Sequence, residues 1–104
     1  MQAYKAELFK ALAHPVRIHI LELLREGERT VSELQAELEI EGSTVSQQLG
    51  VLRARSLVTG RKEGTSVHYS AVDPQVFDLL DTARAMFQTH VASLQELAGT
   101  DQSA

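Results

Sequence analysis

The chain has 104 residues, a net charge of −4, 43% hydrophobic and 5% aromatic residues, and no cysteine. That length suits one domain with a thin core and leaves no room for a second. The missing cysteine excludes disulfides, thiolate metal sites, thiol redox switches and cysteine nucleophiles.

The first helix is expected from about Ala3 to Ala13, with Leu8, Phe9, Leu12 and Ala13 at helical spacing. Lys5, Glu7 and Lys10 interrupt its apolar pattern, unlike a signal peptide, and no run approaches the roughly 18 apolar residues of a membrane span. The chain therefore reads as a soluble, cytoplasmic protein with no membrane partner. Pro15 opens a second helix, where its missing N–H costs nothing. Val16, Ile20, Leu23 and Leu24 give that helix an inner face, His14 stands at its cap, and Gly27 ends it. Thr30 followed by Glu33 is a capping-box pattern for a third helix through about Glu39, with Val31, Leu34 and Leu38 inward. After Ile40-Glu41-Gly42 a fourth helix starts at Ser43 and places Val45, Leu49 and Leu52 on one face, so that the third and fourth helices form a helix-turn-helix.

Beyond it the apolar period changes to alternation. Leu57–Lys62 and Ser66–Val72 flank Glu63-Gly64-Thr65 as a β-hairpin, with Val67, Tyr69 and Ala71 sharing a strand face. Asp73-Pro74 then starts a last helix to about Leu97, followed by a tail, residues 99–104, read as disordered; residues 1–98 form the single domain. Val76, Leu80, Ala83, Phe87, His90 or Val91, Leu94 and Leu97 make an apolar stripe along this helix. At about 1.5 Å per residue it spans roughly 35 Å, more than a small core needs, which calls for a partner helix. The fold class is mostly α with a β-hairpin, in the order α-α-α-α-β-β-α: a winged helix-turn-helix.

Charge is unevenly distributed. Ser43 to Val72 holds Arg53, Arg55, Arg61 and Lys62 against one acid, Glu63, whereas the chain as a whole is acidic. A locally basic face still attracts phosphate, because distant acids are screened beyond about 8–10 Å. With Val45, Leu49 and Leu52 inward, Ser43, Thr44, Gln47, Gly50 and Ala54 turn outward, a short, polar, acid-free face suited to a major groove about 12 Å wide. Ser43, Thr44, Ser46, Gln47 and Gln48 are thus candidate DNA contacts on the helix, and Arg53, Arg55, Arg61 and Lys62 are candidate phosphate contacts. Arg55 fits a plain surface role equally well.

Three segments together resemble one family. Leu12-Ala13-His14-Pro15-Val16-Arg17-Ile18-His19-Ile20-Leu21 is similar to the LA-x-P-x-R-x-x-IL start of the second helix in ArsR/SmtB-type transcriptional regulators. Ser43-Thr44-Val45-Ser46-Gln47-Gln48-Leu49-Gly50-Val51-Leu52-Arg53 resembles their recognition helix, and Leu57 through Ser70, with Arg61-Lys62-Glu63-Gly64, their wing. The resemblance runs from about residue 5 to 97. It implies a homodimer formed by the first and last helices, with Leu8, Phe9, Leu80, Ala83, Phe87, His90 and Leu94 at the interface. It further implies a DNA-binding regulator, by default a repressor, reading a partly palindromic operator in successive major grooves.

The sensing sites that the resemblance brings with it do not carry over. The thiolate site of the third helix is lost, since Glu33-Leu34-Gln35-Ala36-Glu37-Leu38 has no cysteine. At the site on paired last helices His90 stands in place, but Ser93 follows where a ligand is expected, and Phe77 and Leu79 occupy the first pair. Asp78, Asp81, His90 and Glu96 are the remaining metal candidates, against the plainer reading of His90 as an interfacial histidine. His19 and Glu22 are surface neighbours, and His68 an exposed strand residue. No cofactor is required; a transition metal, an organic molecule, a separate sensor protein or no effector at all are the readings left open. An enzyme is not expected, because there is no phosphate loop and no nucleophile–histidine–acid set. The rival reading is a winged helix turned protein-interaction module, which calls for apolar residues on the recognition face.

Overall fold

The computed structural model describes the backbone of residues 1–103 and the side chains of residues 1–99. The chain divides into two compact units, Met1–Pro74 and Gln75–Ala104. In the first, α1 (Gln2–Leu12) leads into α2 (Pro15–Leu24), then β1 (Arg29–Thr30), α3 (Val31–Leu38), α4 (Gly42–Ala54), β2 (Val58–Glu63) and β3 (Ser66–Ala71); the second is α5 (Gln75–Ser103). The expected helix boundary near Leu97 falls inside α5, which continues to Ser103. The tail segment lies largely outside the residues whose side chains are described.

Local chemistry explains the first breaks in the chain. The carbonyls of Ala11 and Lys10 at the end of α1 accept from Arg17 Nη1 at 3.0 and 3.4 Å, so Arg17 satisfies acceptors that the helix leaves open. His14 Nδ1 accepts from the Val16 backbone N–H at 3.1 Å, with Pro15 in the first turn. This is the expected cap. Thr30 and Glu33 form the full capping box: Glu33 N–H donates to Thr30 Oγ1 at 3.2 Å, and Thr30 N–H donates to Glu33 Oε1 at 3.1 Å. Those bonds, first the one from the Thr30 backbone, hold the Glu33 carboxyl below its ordinary range.

Ile20, Leu21, Leu34, Val45, Leu49, Leu52 and Val58 are the largest fully buried side chains. They come from α2, α3, α4 and the start of β2, so the helix-turn-helix is seated on α2 by aliphatic burial at about 25 cal/mol per Å². The hairpin belongs to a three-stranded antiparallel sheet of order β1-β3-β2. Its third strand was not expected, because two residues are too few for an alternation signal. Arg29 pairs with Tyr69 and Thr30 with His68, while β2 pairs with β3 from Val58↔Ala71 to Glu63↔Ser66. The hairpin connection is Gly64-Thr65, with Gly64 at φ 63 as the tight primed turns require. Gly60 faces Tyr69, and a Cβ there would come within 2.8 Å of Val67 Cγ1 and 3.2 Å of Tyr69 Cε1. Glycine lets the ring lie across β2, and Tyr69 is a packing residue.

Candidate nucleic-acid interface

Helix α4 buries Val45, Leu49 and Leu52, the inner face expected from their spacing. Ser43, Ser46, Gln47, Gly50, Arg53 and Ala54 are exposed, and Thr44 and Gln48 are half-buried. The outer face carries no acid and no large apolar side chain. The connection from α3 is tight because Glu39 adopts a left-handed conformation at φ 56 and its N–H donates to Gln35 O at 2.8 Å.

The other end of α4 is closed by backbone bonds. Ser56 sits at φ 58; its N–H donates to Arg53 O at 3.0 Å, and Leu57 N–H donates to Leu52 O at 2.9 Å. These two bonds around a left-handed residue form a Schellman closure. The next carbonyl, of Leu57, accepts from Val72 N–H at 3.1 Å, which ties the far end of the hairpin to the foot of α4. The spacing between recognition helix and wing is therefore set by main-chain bonds. A serine in the left-handed position gives no glycine signal, so this closure was not legible beforehand.

The four candidate cations fall into two classes. Arg53 and Lys62 are exposed and take part in no ion pair among the described residues. Arg55 is held by Glu7, with Nη2 at 2.6 Å from Oε2, and so fastens the end of α4 to α1. Arg61 is held twice: Nη1 donates to Glu63 Oε2 at 2.8 Å, and Nε donates to Glu28 Oε2 at 3.3 Å. The Glu63 bond, followed by the Glu28 charge, pushes the Arg61 guanidinium above its ordinary value. In turn the Arg61 hydrogen bond and charge hold the Glu63 carboxyl low. Glu7 and Glu28 were absent from the predicted site because their contacts depend on the tertiary fold.

On α1, Leu8 is half-buried and Phe9 is 55% exposed. On α5, Leu80 is buried, Ala83 and His90 are exposed, and Phe87 and Leu94 stand 66% and 52% exposed, beside Met86 and Leu97 at 69% and 63%. Asp78, Asp81, His90 and Glu96 are all exposed on α5. Among the described residues no group of three or more histidine, aspartate or glutamate side chains is arranged to hold a metal ion. No helix there is long and apolar enough to cross a membrane.

Residues 14–59, from the cap of α2 to the start of β2, match the model of the bacterial regulatory protein, arsR family. An uncharacterized HTH-type transcriptional regulator of Mycobacterium tuberculosis, Rv0081, is 46% identical over 98 residues, covering 89% of this chain and 86% of its own. The chain belongs to the ArsR family of bacterial regulatory proteins. The crystal structure of Rv0081 matches with a TM-score of 0.79 over 86% of this chain and 90% of that one. A biofilm growth-associated repressor of Agrobacterium fabrum is 40% identical over 82 residues, 79% of this chain and 70% of its own. The solution structure of a homodimeric winged helix-turn-helix DNA-binding domain from Mycobacterium bovis, at 31% identity, gives a TM-score of 0.78 over 86% of this chain and 83% of that one.

In this ArsR-family regulator α3 and α4 are the helix-turn-helix, α4 is the recognition helix, and β2–β3 is the wing. The chain is a winged helix-turn-helix transcriptional regulator, and no enzyme family is indicated.

Proposed function

We propose that the chain acts in the cytoplasm as a homodimeric repressor that binds a partly palindromic duplex operator. The recognition helix α4 lies in the major groove, and the wing rests on the flanking backbone. The observation that carries this reading is the outer face of α4, polar, short and free of acids, with Arg53 at its end and Lys62 on the wing both outside any ion pair among the described residues. Gln47 is exposed at its centre, and a glutamine amide can both donate to and accept from adenine in the major groove. Ser43, Thr44 and Ser46 lie toward the N-terminal end of α4, where hydroxyls reach phosphates or base edges. Arg53 and Lys62 neutralise phosphates without reading sequence.

Dimerisation is supported by the apolar side chains that α1 and α5 leave exposed, Phe9, Met86, Phe87, Leu94 and Leu97, and by the homodimeric M. bovis relative. Two such subunits present their recognition helices to half-sites about 34–36 Å apart. The interaction-module reading requires an apolar recognition face, which α4 lacks.

A fluorescence-anisotropy titration on a duplex from the gene's own upstream region, at two salt concentrations and with and without zinc, nickel or cobalt, tests the proposal. Specific binding that weakens steeply with salt supports it. A change on adding metal would make a metal the effector and return Asp78, Asp81, His90 and Glu96 as its candidate ligands, whereas indifference to metal leaves an organic effector, a sensor protein or no effector. Salt-insensitive binding, or none to any duplex, would move the function to protein interaction.

A further inference from the structure

The wing arginine carries an internal partner drawn from a distant part of the chain. Arg61 and Glu28 lie 33 positions apart, yet Nε and Nη2 of Arg61 donate to Glu28 Oε2 and Oε1 at 3.3 and 3.4 Å, a two-pronged contact. Glu63 Oε2 takes Nη1 from the same guanidinium at 2.8 Å. The sheet makes this meeting: Arg61 pairs with His68 across β2–β3, and His68 pairs with Thr30 across β3–β1. Glu28 is two residues before Thr30 and reaches back over the central strand. Arg61 and Glu63, two apart on one strand, share a sheet face, while Lys62 between them projects to the other.

We infer that Glu28 and Glu63 form an intramolecular clamp that competes with DNA phosphates for Arg61, so that this side of the wing engages DNA only by exchanging a carboxylate for a phosphate. The inference rests on the DNA-binding reading above and adds a regulatory contact to it. Two carboxylates set against one guanidinium offset the attraction of Arg61 for a phosphate in the free protein; His68, half-buried rather than the exposed strand residue expected, stands at the same cluster with Nε2 3.9 Å from Glu63 Oε2. Three of the five guanidinium N–H groups are already committed. The clamp is nevertheless open to exchange, because the side chains of Arg61, Glu28 and Glu63 are 56%, 42% and 65% exposed, and ion pairs in that setting are weak and salt-screened. Lys62 is free of it. The wing thus carries one cation ready for phosphate and one held in reserve.

The test is an anisotropy titration over a series of salt concentrations, on a duplex selected by the wild-type protein from a random-sequence library, for Glu28→Gln, Arg61→Gln and the double variant. Removing the competing charge should tighten Glu28→Gln by about two- to fivefold, the scale of an exposed ion pair, and steepen its log–log salt slope by up to about one as another phosphate is neutralised. Arg61→Gln should bind more weakly, and in its background the Glu28→Gln gain should vanish. Glu28→Gln binding no tighter than wild type would overturn the clamp. A gain that persists without Arg61 would also overturn it, by showing only the loss of a negative charge near DNA. Should Glu28→Gln fail to fold by thermal denaturation, Glu63→Gln is read for the same coupling to Arg61. Failure of the wild type to select or bind any duplex would overturn the DNA-binding reading itself, a result distinct from normal binding without coupling.

Discussion

Gly50 lies within α4, on the exposed face of the recognition helix. A Cβ added there meets nothing within 4 Å, so neither packing nor backbone geometry within the chain calls for glycine. In a helix interior glycine is about 0.5–1 kcal/mol less favourable than alanine. Gly50→Ala should therefore stabilise the fold by that amount, a rise of roughly 2–8 °C in Tm for a domain of this size. In the docking proposed above, the same methyl group would stand between α4 and the groove floor. Crowding a close-packed contact costs about 1–3 kcal/mol, so operator affinity should fall at least several-fold while Tm rises. Thermal denaturation at fixed protein concentration and anisotropy titration on one preparation give both quantities. An unchanged or lower Tm would refute the claim that position 50 is open. A higher Tm with unchanged affinity would show that this face of α4 does not approach DNA.

Ser56 occupies a left-handed conformation at φ 58, which disfavours a residue bearing Cβ. Ser56→Gly should raise stability by about 0.5–1 kcal/mol after the entropy of glycine is set against the relieved strain, measured by urea denaturation; destabilisation would contradict the closure described for α4. Glu33, whose carboxyl is held low by the Thr30 bonds, contributes stability that is present above its ordinary unfolded value and is lost as pH falls through the lower folded value. The Tm advantage of wild type over Glu33→Gln should therefore be full at neutral pH and shrink in acid; a constant difference across that range would mean the charge has no part in the cap.

Much of this architecture was legible because local rules and tertiary contacts agreed. Thr30 and Glu33, His14 with Pro15, and the Val45–Leu49–Leu52 face signal caps and a buried helix face through short-range spacing alone, and the structure realises each of them. Strand β1 was missed because two residues hold no period, and Thr30 does double duty as its last residue and as the cap of α3. The left-handed turn at Ser56 was missed because the residue type gives no sign of it. The outer face of α4 could be drawn on a helical wheel, but the state of the cations could not. Sequence set Arg55 apart from Arg53, Arg61 and Lys62 only as equally suited to a plain surface role, and gave no sign that Glu7 and Glu28, brought close by the fold, pair with Arg55 and Arg61.

The most direct test of the central claim, that α4 reads bases and the neighbouring cations hold the backbone, is the ratio of specific to non-specific DNA affinity in Gln47→Ala and Arg53→Ala. Loss of a two-pronged base contact removes about 1–3 kcal/mol of discrimination, so Gln47→Ala should reduce the ratio by about tenfold with little change in non-specific binding. Arg53→Ala should weaken both affinities alike, flatten the salt slope by about one and leave the ratio intact. A ratio unmoved by Gln47→Ala would contradict the placement of this helix in the major groove.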